Sequence, residues 1–265
     1  MNVGLIGLDD MGAAIARRLL QAGHAVWVWD ASHSAVDAML ACGAQPAVTP
    51  QQAAQTELLL YSLEDLISLD RMFGEGWRTE LPREVVQVNL CDMSAGSAAQ
   101  LSEQQAQRGL RYVAASLIGS PQMAAEGLLE IFAAGSRADL RRAEAALEVL
   151  ATRVHYLGTA PEQAMLAKLT AQFVRACAIE TLREVEHLAQ ASGLSAESLF
   201  VSFQRNLDLS PADTTTQTQQ HEWVVEAARR NGIALPFAET LWALHAPAGR
   251  DHWGPCFKGA SRRAA

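Results

Sequence analysis

The stretch Val3-Gly4-Leu5-Ile6-Gly7-Leu8-Asp9-Asp10-Met11-Gly12, continued by Ala22-Gly23-His24-Ala25-Val26-Trp27-Val28-Trp29-Asp30, decides the fold. Val3 to Ile6 is a short apolar run, which predicts a strand. Met11 to Leu20 then sets Ala13, Ala14, Ile15, Leu19 and Leu20 at helical spacing. Gly23-His24 stops that helix, and Ala25 to Trp29 is rich in β-branched and aromatic residues up to Asp30. Strand, glycine turn, helix and strand make a βαβ unit.

A turn of this kind holds a dinucleotide when it reads G-x-G-x-x-G. The first glycine makes the bend, the second lets backbone approach the pyrophosphate, and the third allows close helix–strand packing. Gly7 and Gly12 fill the first and third places, with Leu8 and Met11 between them, but Asp9 stands at the second. A carboxylate about 4 Å from a phosphate charge costs roughly 1 kcal/mol in a water-like medium and about 4 kcal/mol at an effective dielectric near 20. The helix N-terminus returns only about 0.3–1 kcal/mol per anion at an exposed site. Asp9 and Asp10 are themselves candidates to occupy that positive end. Asp30, at the end of the second strand, is placed to accept hydrogen bonds from an adenosine ribose and to disfavour a 2′-phosphate.

Working outward, Glu57 to Leu63 and Val85 to Leu90 read as buried strands of a parallel sheet. Arg111 to Ser116 and Leu128 to Ala134 add two more. Helical patterns are expected at 64–73, 97–108 and 137–151. This alternation predicts a doubly wound, Rossmann-type α/β domain over 1–158. From Pro161 a long helical pattern runs to Ser192-Gly193, and no strand follows, so 159–265 is expected to be an all-α second domain. Within it, Leu207 to Gln220 reads as a polar surface loop, with helices at 221–231 and 237–246.

The 265 residues carry a net charge of −8, which argues against nucleic acid as the main partner. No apolar run approaches the roughly 18–20 residues of a membrane span. Met1 to Ile6 begins directly as a strand, so no signal peptide is expected and a cytoplasmic setting follows. Cys42, Cys91, Cys177 and Cys256 are far apart and read as buried thiols. Nothing in the spacing of His, Cys and acids suggests a metal. Of the 21 basic residues only Lys168 and Lys258 are lysines, so a lysine is a rare choice in this chain.

Gly4-Leu5-Ile6-Gly7-Leu8 with Met11-Gly12, followed by Ala22 to Trp29, resembles the β-hydroxyacid dehydrogenase family. That family includes 3-hydroxyisobutyrate dehydrogenase, with 6-phosphogluconate dehydrogenase and the imine reductases as relatives. The resemblance implies a nicotinamide cofactor, a small-molecule substrate, and a helical domain through which the chain forms a homodimer. It places Lys168 at the catalytic lysine, where a proton is given to the developing alkoxide as hydride arrives. Gln172, one turn on, stands where the family has a substrate-binding Asn. Ile118-Gly119-Ser120 replaces the Ser-Gly-Gly core of the substrate loop, and Gln219-Gln220 replaces a late Lys-Asp pair. Ala31 stands where NADP-users often carry an arginine, which with Asp30 favours NADH over NADPH.

Val88-Asn89-Leu90, Gly119-Ser120-Pro121 and Tyr156-Leu157-Gly158 with Pro161 are closer to imine reductase segments, although those enzymes usually carry Asp or Tyr in place of Lys168. Three readings therefore stand: an NAD(P)-dependent oxidoreductase acting on a small carbonyl or β-hydroxyacid, an imine reductase-like enzyme, or a non-catalytic relative that has lost its cofactor turn.

Overall fold

The computed structural model describes residues 1–63, 81–191, 214–232, 235 and 240. The expected helix at 64–73 lies outside these residues, as do Cys256, Lys258 and, apart from Thr240, the expected helix at 237–246. The chain divides into two compact units, Met1–Gln172 and Phe173–Ala265.

The first unit is built on β1 (Asn2–Ile6), β2 (Ala25–Trp29), β3 (Gln45–Pro46), β4 (Leu58–Tyr61), β5 (Val86–Asn89), β6 (Arg111–Ile118), β7 (Leu129–Gly135) and β8 (Ala151–Tyr156). They form one sheet in the order β3-β2-β1-β4-β5-β6-β7-β8. The neighbours from β3 through β6 are parallel, and the order reverses between β1 and β4, the switch point where doubly wound sheets bind ligands. Strand β7 turns antiparallel to β6 because ten residues separate them, fewer than a parallel crossover needs.

Helices α1 (Asp10–Gln21), α2 (His33–Leu40), α3 (Pro50–Ala53), α4 (Ala95–Gln107), α5 (Pro121–Glu126) and α6 (Arg137–Glu148) follow the strands. Helix α7 (Glu162–Ala191) begins in the first unit. Strands β1 and β4 are apolar on both faces and β5 is buried throughout, with Gln87 and Asn89 on one side, so each face of the sheet carries its own core. Val3, Leu5, Leu58, Leu60, Val86 and Val88 pack with Ile15 and Leu19 of α1 and Leu147 of α6. Ile6, Leu59 and Tyr61 pack on the other face with Ala53, Ala98, Leu101, Ala164 and Met165. Each fully buried leucine contributes about 1.5–3 kcal/mol relative to exposure. Ala164 and Met165 fasten the start of α7 to this second core, and Leu169 is buried one turn later.

Glycine serves packing at two places near the first turn. A Cβ on Gly12 would lie 2.2 Å from the Gly7 carbonyl oxygen, so only glycine lets α1 start this close to β1. Gly7 has φ +98°, and its Cβ would meet the Ser62 carbonyl oxygen at 1.8 Å.

Three expectations are corrected. The helix expected over 137–151 ends at Glu148, and Ala151–Tyr156, outside every expected strand, form the edge strand β8, whose Thr152 and Arg153 face solvent and hide the apolar signal. Helix α8 (Thr214–Arg230) starts seven residues earlier than expected, so 214–220 are helical and not loop. Cys42 is exposed, unlike buried Cys91. In the second unit the described regular elements are helices, and α8 buries Val224, Val225, Ala227 and Ala228.

Candidate functional site

The turns that follow β1, β2, β4 and β5 lie at the carboxyl ends of parallel strands and form one crest. Backbone bonds continue the ladder past the strand ends: the Gly7 amide donates to the Trp29 carbonyl (3.0 Å), Ser62 to Ile6 (2.8 Å) and Leu90 to Tyr61 (2.9 Å). The Leu63 amide donates to Cys91 Sγ at 3.4 Å, which ties the turn after β4 to the one after β5.

At the glycine turn, Asp30 accepts from the Leu8 amide through one carboxylate oxygen and from the Ser32 amide through the other, both at 2.7 Å. These bonds fix the carboxylate at the end of β2, and each oxygen keeps a further lone pair. Asp9 is the N-cap of α1 and accepts from the Gly12 amide at 2.7 Å. Ser62 Oγ lies 3.5 Å from the same oxygen. Asp10 and Met11 form the first turn of the helix. The turn thus brings together Gly7, Leu8, Asp9, Gly12 and Asp30.

A nicotinamide dinucleotide, the group this turn implies, meets a site that fits it at the bend and at the ribose end. Gly7 has the left-handed backbone and the tight approach such a turn requires, and Asp30 stands where ribose hydroxyls would be accepted. The N-terminus of α1 is already capped by Asp9. Because Asp9 is exposed, the water-like figure of about 1 kcal/mol governs its repulsion of a phosphate, and the fit survives at that cost.

The second cluster lies at the turn after β5. Asn89 is fully buried; its side-chain oxygen accepts from the Cys91 amide at 3.0 Å and its Nδ2 donates to Tyr112 Oη at 3.0 Å. This side-chain-to-backbone turn directs the chain so that Asp92 meets Lys168 of α7. Lys168 Nζ donates to Asp92 Oδ1 in an ion pair. The lysine side chain is 13% exposed and the aspartate 36%. The three donors of the ammonium leave two beyond Asp92. Gln172, half-buried, follows one turn later. Ser116 of β6 donates to Met165 Sδ at 3.1 Å, which sets β6 against the turn of α7 that precedes Lys168.

Ile118 ends β6, Gly119 has φ +141°, and Ser120 caps α5 by accepting from the Met123 amide at 3.3 Å. The Ser120 side chain is therefore engaged in its own helix. Asp92 is the residue that sequence reasoning missed. Its signal was position: an acid three residues past a buried parallel strand, on the side of the sheet where ligands bind. Among the described residues no group of three or more His, Cys, Asp and Glu side chains could hold a metal, and no helix is long and apolar enough to cross a membrane.

Residues 2–158 match the family described as the NAD binding domain of 6-phosphogluconate dehydrogenase. The uncharacterized oxidoreductase YfjR of Bacillus subtilis is 29% identical over 73% of this chain and 69% of its own length. The mitochondrial 3-hydroxyisobutyrate dehydrogenase of Drosophila melanogaster is 26% identical over 74% of this chain and 60% of its own. Among solved structures, a Mycobacterium tuberculosis 3-hydroxyisobutyrate dehydrogenase with L-serine superimposes with a TM-score of 0.80, at 21% identity over 92% of both chains. A Streptomyces aurantiacus imine reductase gives 0.68 at 26% identity, over 92% of this chain and 93% of that one.

Proposed function

The chain belongs to the family defined by the NAD binding domain of 6-phosphogluconate dehydrogenase, and from that premise we propose that it is an NAD(P)-dependent oxidoreductase that reduces a small carbonyl compound or oxidises the matching β-hydroxyacid, with Lys168 as proton donor. The observation that carries this reading is the Lys168–Asp92 ion pair, a largely buried lysine held at the ligand-binding crest of the sheet. A bound nicotinamide supplies the hydride. Asp92 holds the ammonium in place, and Lys168 Nζ keeps the proton that the substrate oxygen takes up as its C=O bond becomes C–OH. In the reverse direction the same nitrogen receives the hydroxyl proton. Arginine would not serve there, since it does not release its proton near neutral pH.

Gly7, Leu8, Met11 and Gly12 would shape the dinucleotide turn, and Asp30 would hold the adenosine ribose. Asp30 with Ala31 favours NADH over NADPH, because a carboxylate beside a 2′-phosphate is repelled. Gln172 and the Ile118–Gly119–Ser120 segment would line the substrate side, in a cytoplasmic homodimer formed through the helical part of the chain. An imine in place of the carbonyl needs the same proton at nitrogen.

Calorimetric titration with millimolar NADH and NADPH, followed by dinucleotide oxidation against a panel of small aldehydes, ketones and imines, tests the reading. Absence of heat and of a thermal shift with either dinucleotide would overturn it. That result would support the second reading, a non-catalytic relative, which the capping of α1 by Asp9 favours. Cytokine-like nuclear factor N-PAC of Homo sapiens, 26% identical over 75% of this chain, shows that proteins named for other roles share this stretch.

A further inference from the structure

The loops of the crest carry charges of one sign. In the turns after β1, β2, β4 and β5 and in the first turn of α1, the charged residues are Asp9, Asp10, Asp30 and Asp92; the described part of these segments holds no Lys or Arg. Lys168, from α7, reaches this crest, and Asp92 binds it.

A free lysine beside a reaction site attracts any anionic substrate. A lysine paired with a carboxylate presents a net charge near zero, and its field at a third group falls off as that of a dipole. The exposures give the pair a direction. Asp92 is 36% exposed against 13% for Lys168, so an approaching ligand meets the carboxylate more openly than the ammonium. A substrate carboxylate would gain little from Lys168 and would be repelled by Asp92. A neutral carbonyl oxygen meets no such repulsion, and two ammonium donors remain for it.

We propose that Asp92 narrows the proposed substrate range: it makes the Lys168 site selective for carbonyl compounds, or the corresponding imines, that carry no carboxylate or phosphate of their own, so that a β-hydroxyacid is the poorer substrate. This selectivity rests on the reading that Lys168 meets the substrate. Asp92 is a specificity-determining residue, acting through its own charge and through its hold on Lys168.

The chain's two lysines allow a test that needs no dinucleotide. The full-length protein is incubated with cyanoborohydride and either butanal or succinic semialdehyde, two four-carbon aldehydes that differ in a terminal carboxylate. Reductive alkylation at Lys168 and at Lys258 is read by peptide mass spectrometry. The ratio of anionic to neutral labelling is expected to be lower at Lys168 than at Lys258. Asp92→Asn, close in size and uncharged, is expected to raise that ratio at Lys168 by about fivefold or more while Lys258 keeps its value. A smaller rise overturns the proposal, and so does the absence of labelling at Lys168 by either aldehyde in wild type and variant. Asp92→Ser repeats the measurement in case the asparagine side chain disturbs the turn. Failure of dinucleotide binding would sink the oxidoreductase reading and leave this labelling ratio readable.

Discussion

The Asp9 carboxylate accepts a hydrogen bond from the Gly12 amide at 2.7 Å, so the chain's own anion closes the first turn of α1. Asp9 stands at the second glycine position of the turn, where the absence of a side chain ordinarily lets a pyrophosphate reach the backbone. The fold keeps the two glycines that its packing needs, Gly7 and Gly12, and places a cap at the one that packing does not need.

Replacing Asp9 with glycine removes that cap and the charge together. An exposed carboxylate about 4 Å from a phosphate costs roughly 1 kcal/mol, so Asp9→Gly is expected to tighten NADH binding about fivefold. Glycine is itself tolerated as an N-cap, so stability should fall by only a few tenths of a kcal/mol. Isothermal calorimetry and thermal denaturation on one pair of proteins check both halves. Unchanged or weaker affinity in Asp9→Gly would show that the carboxylate does not oppose the cofactor.

Lys168→Ala is expected to lower kcat by about 10²–10⁴-fold, the range for loss of a positioned proton donor. NADH affinity should stay the same, because the residue, on α7, meets Asp92 of the turn after β5 and not the glycine turn. Lys168→Arg should keep the ion pair with Asp92 and still fail to restore turnover, since guanidinium holds its proton. Steady-state kinetics of the three proteins with one aldehyde decide it, and activity retained in Lys168→Ala would remove the residue from the mechanism.

Much of this architecture is legible in the chain because parallel strands are buried on both faces. Val3–Ile6, Ala25–Trp29 and Leu58–Tyr61 read as apolar runs for that reason, while Val86–Asn89 alternates valine with the buried polar Gln87 and Asn89. The edges are silent. The two residues of β3 are both exposed, and β8 carries Thr152 and Arg153 outward, so neither shows a strand pattern. Gly4 shows a similar limit: its missing Cβ makes room for the Ala53 carbonyl oxygen, 2.0 Å from where the atom would stand, and that contact is non-local. At the site, Lys168 stood out by rarity and by resemblance. Its partner Asp92 did not, because 76 residues separate them and non-local packing, that of Ala164 and Met165 against the sheet among it, brings α7 to the turn after β5.

Two glycines with positive φ should respond very differently to alanine. Gly7→Ala puts a Cβ 1.8 Å from the Ser62 carbonyl oxygen at φ +98°, in a position fixed by two strand ends. Backbone strain of about 1–3 kcal/mol adds to a clash that the sheet must move to relieve, so the variant is expected to lose more than about 3 kcal/mol or not fold. Gly23→Ala has φ +83° and nothing within 4 Å, so it should cost only about 1–2 kcal/mol. Urea unfolding of both variants measures the contrast, and equal losses would contradict the close approach at Gly7.

Burial, and then the positive charge of the chain's N-terminus, push the His24 imidazole below its ordinary value. Its Nδ1 is buried and has no hydrogen-bond partner among the described residues. A base with a lowered folded-state pKa binds fewer protons folded than unfolded, so its contribution makes stability fall as pH drops through the unfolded value of about 6.5. The contribution levels off once pH is below the folded-state pKa. His24→Phe, which has similar bulk and no ring nitrogen, should therefore show a flatter melting temperature between about pH 7.5 and 5.5 than the wild type. Melting curves at half-unit pH steps compare the two slopes. Parallel slopes would mean that the acid sensitivity belongs to other groups and that His24 takes up its proton without cost to the fold.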